Sequence, residues 1–232
     1  MFLIIILFFL FTFEINAKEG VDVSELTTIE QFNCLKNKLK TEFVIVRAGR
    51  SNGFVDNNAT KNIKNAREAG INDIDIYIFP CVKPKVLQII YDKCGNPRDT
   101  ITSVLNTLKS NNANFGRVWL DIEGLADNED YQGWRNNGKA KNVEFIKGMV
   151  DTLIYNNQSY GIYTNKCNWH EITGNTQNFK NVSLLYEHLD EEKNFDDYGE
   201  YGYPFGGWER PAMKKYSYKD VCGMKVSHVW RP

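Results

Sequence analysis

The segment Arg117-Val118-Trp119-Leu120-Asp121-Ile122-Glu123-Gly124 carries the sharpest chemical signal in the chain. In an extended strand, residues two apart share a face, so Trp119, Asp121 and Glu123 point one way and Val118, Leu120 and Ile122 the other. Two carboxylates on one face of an otherwise apolar strand are costly to bury unless they are used. Such a pair can run glycoside chemistry. One carboxyl, kept protonated by burial and by its neighbour, acts as general acid, while the other stays ionised opposite an oxocarbenium-like centre. Glu123 is the candidate acid and Asp121 its partner. The same two residues also fit a structural part, capping a helix or pairing with a base such as Arg47, and Asp-Ile-Glu alone does not separate the two. Asp22 poses a similar question. Centred in Gly20-Val21-Asp22-Val23-Ser24, it faces away from its two valines, towards a barrel interior or mouth, or outward from a solvated edge strand.

These residues need elements to hold them. Strand-like runs at 20–24, 43–47, 74–79, 117–122, 160–163 and 182–186 alternate with helical stretches. Thr28 caps the first helix with Gln31 three residues on, and Ile29, Phe32, Leu35 and Leu39 recur at helical spacing. Further helices are expected at 58–69, ended by Gly70, and near 98–111 and 139–156, whereas the helical signal fades after Trp169. The tail, 203–230, reads as turns at Gly206-Gly207 and short β segments. Strand–helix alternation on this spacing implies parallel strands with right-handed crossovers. Five βα units followed by β-rich sequence predict a single α/β domain built as an incomplete (β/α) barrel, with an open doubly wound sheet as the competitor. In a parallel barrel, catalysis is built at the C-terminal ends of the strands, which is where Asp121 and Glu123 fall. Neither GxGxxG nor GxxxxGK[ST] follows an early strand, which weakens a nucleotide-binding reading.

Composition narrows the partners. Lys plus Arg is 28 and Asp plus Glu is 29, a net charge of −1, which argues against a nucleic-acid binder or a polybasic membrane clamp. Met1 to Phe13 is an apolar run too short to span a membrane comfortably, and it matches a secretory h-region with cleavage after Ala17. Residues 1–17 are therefore expected to be a signal peptide and 18–232 the domain, with a destination outside the cell or in a lysosome- or phagosome-like vesicle and no stable membrane insertion. Cleavage removes one acid, Glu14, and no base, so the remaining charge balance is zero. Sequons at Asn58, Asn157 and Asn181 are weak glycan signals in an Asn-rich chain. Five cysteines in an oxidising compartment predict two disulfides and one leftover thiol. Cys81 with Cys94 is the easiest local pair, Cys34 with Cys222 would tie the two ends of the domain, and Cys167 is then left over. With three histidines and no metal-ligand spacing, no metal and no cofactor are expected.

Taken in order, the blocks resemble one family. Gly20 to Ser24, Phe43-Val44-Ile45-Val46-Arg47-Ala48, Asn62 to Gly70, Tyr77-Ile78-Phe79-Pro80-Cys81, Val118 to Gly124, Tyr160-Gly161-Ile162-Tyr163-Thr164 with Trp169, and Pro204-Phe205-Gly206-Gly207-Trp208 are similar to the glycoside hydrolase family 25, or Chalaropsis-type, lysozymes. The Phe-Pro-Cys and Phe-Gly-Gly-Trp segments look most like its protist and nematode branch. The resemblance implies a modified TIM-like (β/α)5β3 barrel that cleaves the β-1,4 bond after N-acetylmuramic acid in peptidoglycan, acting as a monomer. By position it makes Glu123 the general acid/base, gives Asp121 the task of stabilising charge or orienting the substrate's N-acetyl group, and has Asp22 assist from the barrel mouth. Tyr77, Phe79, Trp119, Tyr163, Tyr186 and Trp208 fall near strand ends in the matching blocks; apart from Trp119 these are the candidate substrate-binding rings. Tyr131 and Trp134 follow Glu123 and are placed to form a lid.

The tail departs from the family pattern. Where a Cys-Gly-x-x-Val-Asp-x-Asn pattern is usual, this chain has Ser227 for the Asp and Val229 for the Asn. Lys214-Lys215-Tyr216 replaces Lys-Gln-Tyr, and Leu184-Leu185-Tyr186-Glu187-His188 replaces Leu-Trp-Tyr-x-His. His228 should point away from Ser227 and is read as a core or surface histidine. The sequence therefore favours a secreted peptidoglycan N-acetylmuramidase. The alternative is a weakened or inactive glycan-binding member, in which Ser227 records lost turnover. A chitinase-like barrel would carry D-x-x-D-x-D-x-E, but 116–119 read Gly-Arg-Val-Trp.

Overall fold

The computed structural model describes residues 17–83, 94–126, 129–130, 132–200 and 204–232, with only the backbone at 125–126, 129–130 and 200. Residues 1–16 of the candidate signal peptide, Tyr131 and residues 84–93 lie outside the described residues. No helix among the described residues is long and apolar enough to cross a membrane.

Local rules account for most elements. Strand β1 (Lys18–Val23) runs into Thr28, whose hydroxyl accepts from the Gln31 amide while Gln31 reaches back to the Thr28 amide, so α1 (Ile29–Leu39) starts on a complete capping box. Strand β2 (Phe43–Gly49) leads to α2 (Ala59–Glu68), which stops at Gly70 with φ +81°, a conformation that favours glycine. Strand β3 (Asp73–Ile78) precedes α3 (Pro97–Ser110), opened by Pro97 and by the Asn96 side chain accepting from two backbone amides. Strand β4 (Val118–Asp121) is followed by a two-stranded ribbon, β5 (Leu125–Ala126) and β6 (Glu129–Asp130), then α4 (Trp134–Asn137) and α5 (Lys139–Tyr155). Next come β7 (Tyr160–Thr164), α6 (Lys166–Thr173), β8 (Ser183–Glu187), α7 (Asp196–Glu200), β9 (Met213–Val221) and β10 (Met224–Arg231).

Eight strands close a barrel in the order β1-β10-β9-β8-β7-β4-β3-β2. All neighbours pair in parallel except β10, which runs antiparallel to both β1 and β9. Five strand–helix units followed by three strands give the expected (β/α)5β3 architecture; closure of the sheet excludes the open, doubly wound competitor. Two local expectations are corrected. The tail holds two long strands, of nine and eight residues, instead of short segments, and a helix continues through Trp169 to Thr173. Each tail strand has a long partner across the hairpin, which supports a β run that its own composition marks only weakly.

The barrel has two apolar layers. Between strands and helices, residues such as Val44, Val46, Ile76, Leu120 and Ile122 pack against Phe32, Ile63, Ile101 and Ile146. Inside the barrel, Phe43, Ile45, Trp119, Leu185, Met213 and Val229 fill the lower part. Two glycines make that filling possible: a Cβ on Gly20 would meet the Phe43 ring at 2.3 Å, and one on Gly161 the Trp119 ring at 2.4 Å. Trp119 is further fixed by donating its indole N–H to Asp75 Oδ2 at 3.0 Å. Disulfides Cys34–Cys222 and Cys81–Cys94 match the expected pairs, and Cys167 is free and exposed. The first ties α1 to the β9–β10 hairpin across 188 residues of sequence.

Candidate active site

Above the apolar filling, the interior turns polar. A cavity of about 510 Å³ opens there, lined by Asp22, Tyr77, Asp121, Glu123, Tyr163, Lys215 and Ser227, with Tyr218 and Lys225 among its outer residues. Strand alternation brings these groups together. Asp121 ends β4 on the same face as the interior Trp119, and Glu123 follows one step beyond the strand, while Ile122 turns outward into the helix layer. Asp22 faces inward from β1, opposite Ser227 on β10.

The segment carrying the two acids is held from behind. Gly124, at φ +103°, allows the chain to turn directly after Glu123; a Cβ there would meet Gln132 Oε1 at 2.1 Å. Gln132 donates to the Asp121 carbonyl at 3.3 Å, and the Trp134 indole donates to the Glu123 carbonyl at 3.0 Å and to Gln132 Oε1 at 2.7 Å. Trp134 is therefore a buried brace for the segment that carries Asp121 and Glu123, which corrects its reading as a lid. An indole whose N–H is committed to two oxygens in the core is not available to close over a groove.

The acids differ in how they are satisfied. Asp22 accepts the Tyr163 hydroxyl at 3.1 Å. Asp121 Oδ1 and Glu123 Oε1 are buried with no hydrogen-bond partner among the described residues. Burial pushes Asp121 well above the ordinary carboxylate range, and the neighbouring Glu123 adds to the rise. Burial, then Glu187, lifts Glu123 to about 8. Asp22 is raised by burial too, but Lys215 and the Tyr163 hydroxyl pull it back. Arg47, the base considered as a structural partner for the acids, instead binds Asp56 at 2.7 Å and the Ser24 carbonyl at 3.0 Å. The cation beside the acids is Lys215, whose Nζ lies 2.6 Å from Glu187 Oε2. Its long-range approach to Asp22 and Glu123 has no local signature; the one available signal was its departure from the family's Gln.

The candidate rings divide. Tyr77 and Tyr163 line the cavity and meet edge to face, with centroids 6.1 Å apart. Phe79 lies behind Gly124 and borders a separate small recess. Tyr186 and Trp208 are not in the cavity, contrary to expectation. On β8, Leu185 takes the inward face, so Tyr186 points out and donates to Asp197 at 2.5 Å. Trp208 packs against Trp169, with centroids 4.9 Å apart, and donates to the Val182 carbonyl at 2.7 Å. Sequence reading missed Lys215, Gln132 and the exposed Tyr218 at the cavity's outer edge.

Ligand atoms of His188, Asp190 and Asp197 lie within 4.8 Å of one another, a spacing a metal could use. The buried Lys214 ammonium already sits 2.6 Å from Asp190 and 3.2 Å from Asp197, supplying the positive charge there.

A family model described as "Lysozyme-like protein 1" matches residues 14–216. A Dictyostelium discoideum relative described as "Probable GH family 25 lysozyme 2" is 36% identical over 230 residues, covering 99% of this chain and 98% of the relative. The chain belongs to the family 25 glycoside hydrolase lysozymes. "Lysozyme-like protein 5" of Caenorhabditis elegans is 32% identical over 219 residues, covering 93% of this chain and 92% of that one, in keeping with the protist and nematode branch. The family 25 lysozyme structure from Aspergillus fumigatus superposes with a TM-score of 0.67 at 16% identity, covering 94% of each chain, and so shares the barrel. Of the departures from the family 25 pattern, Lys215 and Ser227 line the acid-bearing cavity, whereas Val229 lies in the apolar filling below it.

Proposed function

We propose that this protein is a secreted N-acetylmuramidase that hydrolyses the β-1,4 bond between N-acetylmuramic acid and N-acetylglucosamine in bacterial peptidoglycan, for digestion of bacteria or defence against them. The observation that carries this reading is the crowding of Asp22, Asp121 and Glu123 at one barrel mouth, with a buried oxygen of Asp121 and of Glu123 left without a hydrogen-bond partner among the described residues. Natural cores rarely leave such atoms unpaired, and oxygens that face a cavity are free to bind a ligand and hand it a proton.

In this mechanism Glu123, raised to about 8, still carries its proton at neutral pH and donates it to the glycosidic oxygen. Asp22 carries the standing negative charge that favours the oxocarbenium-like centre, and Asp121 orients the substrate's N-acetyl group. Glu123, once ionised, takes a proton from the incoming water and returns to its starting state. Tyr77 and Tyr163 form the aromatic wall of the subsite, and Tyr218 offers an outer ring for a second sugar.

A glycan-binding protein without turnover is favoured by one observation: the neutral Ser227 opposite Asp22. Purified protein is expected to clear a suspension of Gram-positive cell walls, and Glu123→Gln to abolish clearing while the fold is kept. Sugar binding without clearing anywhere between about pH 3 and 8, the range in which carboxyl acid catalysis operates, would replace the enzyme with the binding protein.

A further inference from the structure

Three carboxyls in one buried space cannot all be ionised at once, so something must decide which one holds the charge. The groups that face this space come from every wall. Asp22 enters from β1, Tyr77 from β3, Asp121 from the end of β4 and Glu123 just beyond it, Tyr163 from β7, Glu187 from β8 and Lys215 from β9, with the neutral Ser227 on β10 and the exposed Glu25, Tyr218 and Asp220 at the outer edge. Arg47 on β2 is bound to Asp56 and exerts a smaller pull on Asp22 in the same sense as Lys215. Lys225 lines the cavity at its exposed edge, which leaves Lys215 as the buried cation among the described lining residues.

Lys215 is fixed in place. Glu187, its neighbour across the β8–β9 ladder, holds the ammonium at 2.6 Å, and the side chain is 15% exposed. The ammonium lies 5.7 Å from the centroid of the Tyr163 ring, and the hydroxyl of that ring donates to Asp22. Glu187, Lys215, Tyr163 and Asp22 thus form a continuous chain of contacts from the barrel wall to one particular carboxylate. The other two acids each lack a partner on one oxygen among the described residues.

We propose that Lys215, anchored by Glu187, is a positioning residue that places the site's standing negative charge on Asp22 and so leaves the proton on the Asp121–Glu123 pair. The inference rests on the glycosidase reading for its catalytic meaning, but the charge order itself is a property of the folded chain. Burial alone would lower the lysine's own affinity for its proton; Asp22 and Glu187 outweigh that and raise it, so Lys215 stays charged across the working range. Lys215 is the first of the influences that lower Asp22, and it acts in the same sense on Asp121 and Glu123.

The test is a carbon-13 NMR titration of the Asp and Glu side-chain carboxyls in the full chain, comparing wild type with Lys215→Gln and Lys215→Arg. An opposite charge at close range lowers a carboxyl by about 1–3 pH units, so Lys215→Gln should raise the Asp22 midpoint by about one unit or more. Lys215→Arg should restore it. If Lys215→Gln does not fold, the wild-type titration decides: Asp22 must lose its proton at lower pH than Asp121 and Glu123. An Asp22 midpoint that stays in place in folded Lys215→Gln, or that lies above those of the other two acids in the wild type, overturns the proposal. On activity, the acidic limb of kcat should move up in Lys215→Gln, with KM changing less. If the wild type hydrolyses no cell wall, the muramidase reading fails while the titration still answers for Lys215.

Discussion

Lys214 and Lys215 are neighbours on β9, and both are largely buried, yet they belong to different kinds of site. Lys214 points outward beneath the loop that follows β8. Its ammonium bonds Asp190 and Asp197, Asp197 also accepts from Tyr186, and His188 Nδ1 lies 2.5 Å from Asp197. Burial pushes Asp197 up, but the hydrogen bonds from Tyr186, His188 and Lys214 outweigh it and bring this carboxyl below its usual range. Lys215 points into the barrel, where one cation faces Asp22, Asp121, Glu123 and Glu187, and two of those acids are raised far above normal. The ingredients are alike. A cluster in which each carboxylate oxygen has a hydrogen-bond partner holds the fold together, whereas one that leaves buried acid oxygens unpartnered among the described residues keeps a proton in reserve for chemistry.

The largest effect should come from the acid at the heart of the inward cluster. Glu123→Gln is expected to lower cell-wall clearing by about 10²–10⁴-fold, the usual contribution of a general acid, without loss of folded structure by circular dichroism. Clearing at wild-type rate would end the distinction between the clusters. On the outward side, Lys214→Met should cost about 3–5 kcal/mol in urea unfolding, because two carboxylates lose their buried counter-ion. Lys215→Gln should cost clearly less, since the Lys215 side chain is 15% exposed against 0% for Lys214, so water can take over part of its task. Equal losses would show that both lysines are structural.

The clusters should also respond to pH with opposite sign. Glu123 is raised from 4.5 to about 8 in the fold, so between these values the folded chain holds a proton that the unfolded chain has released. Its contribution to stability is full below 4.5 and is lost as pH rises towards 8, at up to about 1.4 kcal/mol per pH unit. Glu123→Gln should flatten that slope in denaturation measured across the window. Asp197 is lowered from 3.8, so its contribution is present above that value and is lost as pH falls through the lower folded value.

The smallest effect tests the same alternation one strand on. Ser227 faces the cavity, and His228 turns the other way, against Tyr216, with a buried Nε2 that lacks a partner among the described residues. Burial lowers His228 from 6.5, so the fold loses stability as pH drops below that value. His228→Phe should remove this loss, as read by thermal unfolding at mildly acid pH.

The sequence by itself determined what short-range geometry controls. Period-two alternation put Asp121 and Glu123 on one face, Thr28 with Gln31 announced a helix start, and Gly70 marked a helix end. The order of strands and helices pointed to an incomplete (β/α) barrel but left an open doubly wound sheet in competition; the (β/α)5β3 form came from the family resemblance, and closure of the sheet decided it. Only the tertiary structure decided which strand face becomes lumen. Tyr163 and Tyr186 look equivalent in the sequence, each near the end of an apolar strand, yet one hydrogen-bonds Asp22 and the other Asp197. Lys214 and Lys215 are separated in the same way. Closure, β10 running antiparallel beside β1, and Leu185 taking the inward place on β8 set that choice. An inward or outward assignment depends on strands far apart in the chain, because a strand with two buried faces has no preference of its own between them.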